Sequence, residues 1–341
     1  MKHRNLKTAI NSVLVSLAIY IIASFMIVML IYEGMFARVE EYEHHSFLCY
    51  EDMEGYVQRD ITFQSDGYNI SGKIYGENTD KLVILAHSKG GSGEDMLAEA
   101  CFFADNGYSA MVFDFVGCGK SDGSSQLGLQ RPVYELEIAV EFAKEQGFTD
   151  IYLHGIGVGG YAAAACADIE GIKAVSAASS FSSVADITLE YATENMGVFG
   201  YLEYPIMWLY QYLVFGSELN NNAVSGINSS DVPIIIINGT ADETIHHDGA
   251  ALINSADEIT NRRTEYVSVE NGRHSSILRS ENARALLEKF NGEAYELYNS
   301  YSGSVPEGEI KALYEKYDRA EMSELDAELM DKILTLFNSA E

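Results

Sequence analysis

The chain has 341 residues, 47% hydrophobic and 21% charged, with 29 Gly and 4 Pro. That balance suits one large α/β domain or two of about 150 residues, and it excludes a disordered or collagen-like chain. Asp and Glu outnumber Lys and Arg 51 to 22, a formal net charge of −29, and such a polyanion repels nucleic acid. The cysteines at 49, 101, 118 and 166 show no C-x-x-C or Cys/His finger spacing. Neither a structural zinc site nor a dense disulfide framework is expected, and no Ca²⁺ loop spacing is present.

From Thr8 to Tyr32 no residue is charged. Those residues make roughly 37 Å of helix at 1.5 Å per residue, enough for a hydrocarbon core that needs about 20 residues. Lys2, Arg4 and Lys7 precede the stretch, while Glu33, Arg38, Glu40, Glu41 and Glu43 follow it. The positive-inside rule puts residues 1–7 in the cytoplasm and the chain from residue 33 onward outside. A cleaved signal peptide has a shorter apolar region and a small-x-small site, and Ile31-Tyr32-Glu33-Gly34 is a poor one. The expectation is an uncleaved anchor over 8–32. Residues 33–55, with Cys49 and the His44-His45 pair, read as a solvated juxtamembrane stem.

Beyond the stem, short apolar runs alternate with helical stretches. Asp60–Phe63 and Asn69–Tyr75 read as a hairpin around Asp66-Gly67. Strands follow at Lys81–Ala86, Ser109–Asp114, Asp150–His154, Ile172–Ser176, Val232–Asn238 and Thr264–Val269. Helices are expected at Glu94–Asp105, Val133–Gln146, Val158–Asp168 and Gly249–Ala256. This alternation implies a mostly parallel sheet with helices on both faces, whose ligands bind beyond the carboxyl ends of the strands.

The post-strand segments carry the signal. They read His87-Ser88-Lys89-Gly90-Gly91, Asp114-Phe-Val-Gly117-Cys-Gly119-Lys-Ser121, His154-Gly155-Ile156-Gly157-Val158-Gly159-Gly160, Asn238-Gly239-Thr240-Ala241-Asp242 and Asn271-Gly-Arg-His274. With these loops in the order elbow, acid, histidine, residues 56–290 resemble the α/β-hydrolase superfamily, in particular its membrane-anchored bacterial-type serine hydrolases. The resemblance implies a hydrolase of carboxylic esters or other acyl bonds that needs no cofactor or metal. It casts Asp242 as the acid and His274 as the base. It draws the oxyanion hole from the backbone N–H groups of Val158 and of Lys89 or Ser88.

The nucleophile is missing. Gly-x-Ser-x-Gly here reads Gly155-Ile156-Gly157-Val158-Gly159, so Gly157 stands at the nucleophile position. A second departure is Ser88, where relatives usually carry Gly. Glycine adopts the sharp elbow turn without a Cβ penalty, but without Oγ no acyl-enzyme forms at this position. Two classes follow: a hydrolase by descent, with a water at the Oγ place as one way to turn over, or a pseudoenzyme binding a small acyl ligand or a protein partner in the old pocket.

Other groups have bland readings. Ser176, Ser179, Ser180, Ser182 and Ser183 crowd one strand end, Cys118 sits in a glycine-shaped loop, and His87 and His154 end strands; structural roles are expected. His246 and His247 follow Asp242 on the surface side. Gly155-x-Gly157-x-x-Gly160 also satisfies the dinucleotide fingerprint, a remote NAD(P)-dependent oxidoreductase reading. Glu170 lies too close to serve as its ribose acid, and the motif follows a late strand.

Residues 178–231 are placed as a helical cap, with Tyr204, Trp208 and Tyr212 on one helical face as packing or as a wall for an acyl ligand. Residues 291–341 form an acidic helical extension. Helices are expected over Pro306–Tyr317 and Ser323–Phe337, with Ser323 as N-cap and the apolar positions from Ile310 to Phe337 packed on the body.

Overall fold

The hairpin forms where the Asp66-Gly67 pair demands it. Strands β1 (Gln58–Ser65) and β2 (Tyr68–Tyr75) pair antiparallel across a two-residue turn. Asp66 and Gly67 take φ of 49° and 83° there, the double positive φ of a type I′ hairpin. The structure is a computed structural model and describes residues 2–340. The side chains of the expected cytoplasmic segment 1–7, of Thr8, and residue Glu341 lie outside the described residues.

An N-terminal helix, α1 (Lys2–Met35), precedes the hairpin. After it come β3 (Lys81–Ala86), α2 (Leu97–Asp105), β4 (Ser109–Phe113), α3 (Arg131–Glu145), β5 (Asp150–Ile156), α4 (Val158–Ala165) and β6 (Ile172–Ala178). The cap helices α5 (Val184–Met196) and α6 (Gly200–Phe215) follow, then α7 (Ala223–Ser229), β7 (Ile234–Gly239) and β8 (Thr264–Val269). The chain closes with α8 (Glu281–Ser300), α9 (Glu307–Tyr314), α10 (Arg319–Met322) and α11 (Ala327–Asn338).

The strands form one sheet in the order β1-β2-β4-β3-β5-β6-β7-β8, parallel from β4 to β8. Period-2 alternation splits the core. Leu82, Ile84 and Ala86 of β3 pack with α3, α4 and α7, while Val83 and Leu85 pack with α2 and α11 on the other face. Every residue of β4 and β7 is buried, as expected for central strands covered on both sides.

In α1, Ala9–Met35 is long and apolar enough to cross a membrane. Its last turns lie along α6. Phe25 and Tyr32 meet Tyr210 edge-on at 5.7 and 4.9 Å, and Tyr20 Oη donates to Glu203 at 2.6 Å.

The solvated-stem expectation is corrected. Phe36, Cys49 and Met53 are buried, and Val39 bridges Cys118. Arg38 donates to the carbonyl oxygens of Gly119, Ser121 and Gly123 at 2.6–2.9 Å. His44 lies 2.6 Å from a Glu307 carboxylate oxygen.

Two helix expectations also change. Over Gly249–Ala256 only a short 3₁₀ turn, Leu252–Ser255, forms. Ala251 pairs with Phe181, and the backbone of Ala250 and Leu252 bonds to Ser182 and Ser180. Ser323 is not an N-cap: it ends α10, and Asp326 caps α11 by accepting from Leu329 N. Residues 324–326 instead bond across to Leu278 and Ser280, with Leu325 bridged to Arg279. From α11, Leu329, Met330, Ile333, Leu336 and Phe337 are buried against the sheet.

Candidate active site

The expected site residues come from four strand ends, those of β3, β5, β7 and β8, and the fold brings them together. Gly157 sits between β5 and α4 with φ 61° and ψ −121°, a backbone state that side chains adopt only under strain. Gly159 lets β3 pass: a Cβ there would overlap the carbonyl of Ala86. Asp242 follows β7 and His274 follows β8.

Asp242 is buried, and its Oδ1 accepts from the N–H groups of Thr244 and Ile245 at 3.0 and 2.9 Å. Both of its oxygens lie 3.1 Å from His274 Nδ1. Burial alone would push this carboxyl up. The hydrogen bond and charge of His274, then the two N–H groups, outweigh burial and hold it below the usual carboxylate value. An ionised carboxylate only accepts, so Nδ1 carries the proton and Nε2 is left as the base.

Nε2 faces the elbow. It lies 3.2 Å from the place a Cβ on Gly157 would take, and 3.4 Å from Ser88 Oγ. The same Cβ would come closer than 3.0 Å to Ser88 Oγ. Ser88, expected only as a loop residue of the oxyanion hole, therefore presents its hydroxyl in the elbow. The pair of departures, Gly at 157 and Ser at 88, was the sequence signal for this; their adjacency needed the fold.

The loop that aims Ser88 is fixed by His87. Its Nδ1–H donates to the Ser88 carbonyl at 2.7 Å and its Nε2 accepts from Phe115 N at 3.0 Å. Burial holds the His87 pKa at about 4, so the ring is neutral and both bonds are consistent with one tautomer.

Of the oxyanion candidates, Val158 is the first residue of α4, whose first N–H groups have no partner within the helix. In the facing loop Gly90 N and Gly91 N are already engaged by Gln126 and by the Ser88 carbonyl. That leaves Ser88 and Lys89. The Lys89 ammonium lies 5.4 Å from the Phe36 ring centre, and burial lowers its pKa.

Most of the remaining groups have partners of their own, while the buried hydroxyls of Ser179 and Ser180 have none. Ser176 partners His154 at 3.0 Å, Ser182 bonds Asp186, and Ser183 caps α5. Burial pushes the Cys118 thiol up to about 12, which makes it a poor nucleophile. Asp114 accepts from Gly93 N and Lys120 N, pinning its own loop. His247 Nε2 lies 3.0 Å from Ser268 Oγ. His246 lies 2.5 Å from Glu194 and 3.8 Å from Glu190. That trio has metal-ligand types, yet Glu194 and His246 are exposed, and Glu190 already accepts from His246 N and Ala250 N.

A small crevice lined by Ser88, Lys89, Phe36, Leu129 and Val158 lies beside the elbow, on the side away from Asp242 and His274. Phe36 and Leu129 also wall an apolar cavity between α1, α5 and α6, with Val28, Ile31, Met35 and Met207 among its other walls. Trp208 and Tyr212 stack at 5.2 Å but are exposed. The aromatic stripe thus points outward, because α6 is apolar nearly all round and Met207 and Tyr210 face α1.

No family model matches the chain, and no curated protein matches it. Solved structures do. An esterase of Pyrococcus furiosus aligns with a TM-score of 0.54 at 18% identity, over 79% of this chain and 100% of its own. The α/β hydrolase GrgF of a Penicillium species aligns at 0.51 and 16% identity, over 70% and 97%. The chain has the α/β-hydrolase fold.

Proposed function

We propose that the chain is a membrane-anchored hydrolase of carboxylic esters or other acyl bonds. The observation that carries this reading is the Asp242–His274 pair: a buried, ionised acid that orients a histidine whose free nitrogen points into the elbow. Acyl transfer needs a base held this way. The N–H groups at the start of α4 would receive the oxyanion. The cavity that shares Phe36 and Leu129 with the crevice would take an acyl chain. The α1 anchor, with the basic residues before it and acidic ones after it, supports an extracytoplasmic catalytic domain. Gly157 favours the second reading, a pseudoenzyme that keeps the pocket and has lost the chemistry.

The test uses the full chain in detergent micelles with short-chain nitrophenyl esters. Turnover that His274→Ala abolishes supports the hydrolase. A wild-type rate no higher than that of His274→Ala leaves the pseudoenzyme reading standing.

A further inference from the structure

We infer that Ser88 is the nucleophile of this site, moved from the elbow to the facing loop; the inference rests on the hydrolase reading above. Three observations carry it. Ser88 Oγ lies 3.4 Å from His274 Nε2, the ring nitrogen not engaged by Asp242. That separation exceeds the working range of about 2.6–3.2 Å, as apo sites often do. The hydroxyl also fills the space an elbow side chain would occupy, since a Cβ on Gly157 would fall closer than 3.0 Å to it. Positions 88 and 157 thus cannot both carry a side chain unless something shifts, and this chain carries it at 88. Finally, the Ser88 carbonyl is held by His87 Nδ1 at 2.7 Å and Gly91 N at 3.1 Å, which fixes the loop.

The chemistry balances with these groups and water. Ser88 Oγ gives its proton to His274 Nε2 and bonds to the acyl carbon. The carbonyl oxygen, now negative, faces the N–H of Val158 at the start of α4. The bond from carbon to the leaving oxygen breaks, and the imidazolium protonates the departing alcohol. Water then gives a proton to Nε2 and attacks the acyl-Ser88 ester. The Oγ–carbon bond breaks, Oγ recovers its proton, and a carboxylic acid leaves. Asp242 stays ionised throughout.

The experiment labels the full wild-type chain in micelles with a fluorophosphonate, digests it with trypsin and maps the adduct. Cleavage after Lys81 and Lys89 releases residues 82–89, in which Ser88 is the single serine. The label is expected there, and expected to vanish in Ser88→Ala and His274→Ala. Ester turnover by Ser88→Ala is expected to fall at least about 10³-fold, the scale of a lost triad nucleophile. Gly157→Ser alone is expected to gain less than the same change made together with Ser88→Gly, because its side chain meets the Ser88 hydroxyl unless that hydroxyl turns aside. The double variant Ser88→Gly/Gly157→Ser is expected to regain turnover over Ser88→Gly, with the label moved to residues 145–173, which hold no other serine.

An unlabelled 82–89 peptide in the wild-type chain overturns the assignment. If His274-dependent turnover persists in Ser88→Ala, the hydrolase reading survives and the nucleophile is a water. If the wild-type chain neither turns over nor takes label, both readings fail.

Discussion

Phe337→Ala tests whether the acidic C-terminal extension belongs to the core. The Phe337 side chain is fully buried on the sheet face that carries α2. Its ring stacks on Phe103 at 5.5 Å with 16° between planes, and it meets Tyr152 at 5.0 Å. Truncating a buried Phe costs about 3–5 kcal/mol in lost transfer energy and cavity, and the two aromatic neighbours favour the upper half of that range. At roughly 2 °C per kcal/mol for a domain of this size, the melting temperature should drop about 8 °C. The assay is urea and thermal unfolding of the full chain in micelles, followed by tyrosine and tryptophan fluorescence. Tyr295→Ala serves as the control: Tyr295 is 73% exposed on α8, and its change should stay within about 0.5 kcal/mol. Ester turnover well below the transition should match the wild type, since Phe337 touches none of the site. A loss under about 1 kcal/mol would refute the reasoning and make α11 a detachable element.

Asp242→Asn keeps the shape but no longer enforces the His274 tautomer, so turnover should fall by roughly 10⁴-fold with little change in Km, measured by steady-state kinetics. Arg279 and Glu99 form a buried ion pair at 3.0 Å. Arg279→Met strands the carboxylate and should cost about 3–5 kcal/mol in urea unfolding, and Glu99→Gln added to it should recover most of that loss. Burial also holds the pKa values of His87 and His154 at about 4 and about 3, below the ordinary value near 6.5. The unfolded chain takes protons that the folded one refuses. Stability present above pH 6.5 is therefore lost as the pH falls toward 4, by about 1.4 kcal/mol per unit for each histidine. Urea midpoints measured between pH 7 and 5 should fall, and His154→Gln should remove about half of the histidine contribution to that slope.

The sheet was legible because buried parallel strands read as unbroken apolar runs. Leu82-Val-Ile-Leu-Ala86 and Ile234-Ile-Ile-Ile237 allow little else between their turn residues. The pairing of Asp242 with His274 was legible from loop order. The two helix misreadings share a cause: at Ala250–Leu252 and at Glu324–Asp326 the backbone bonds to a distant strand-like segment. Local propensity carries no trace of a bridge across some 70 or 45 residues of chain. The stem was misread for a related reason. Its charges suggested solvation, yet Arg38 spends its guanidinium on three loop carbonyls. Ser88 is legible in the sequence only as a departure in its loop. That its hydroxyl belongs beside position 157 depends on β3 and β5 being neighbours in register, Ala86 opposite Gly155, which no single motif encodes.

If α1 spans a bilayer, its contact with α6 would tie the cap to that bilayer. Glu203 near the start of α6 meets Tyr20 and Ser24, and Tyr210 further along meets Phe25 and Tyr32. The two helices therefore run in the same direction, side by side. A spanning helix adapts to membrane thickness by tilting, and a tilt of α1 would swing α6 with it, since the rings of Phe25, Tyr32 and Tyr210 interlock. The walls at Phe36 and Leu129 would shift in turn. Lipid thickness would then act as a mechanical input to the mouth of the crevice, and removing α1 would leave the cap without its strut.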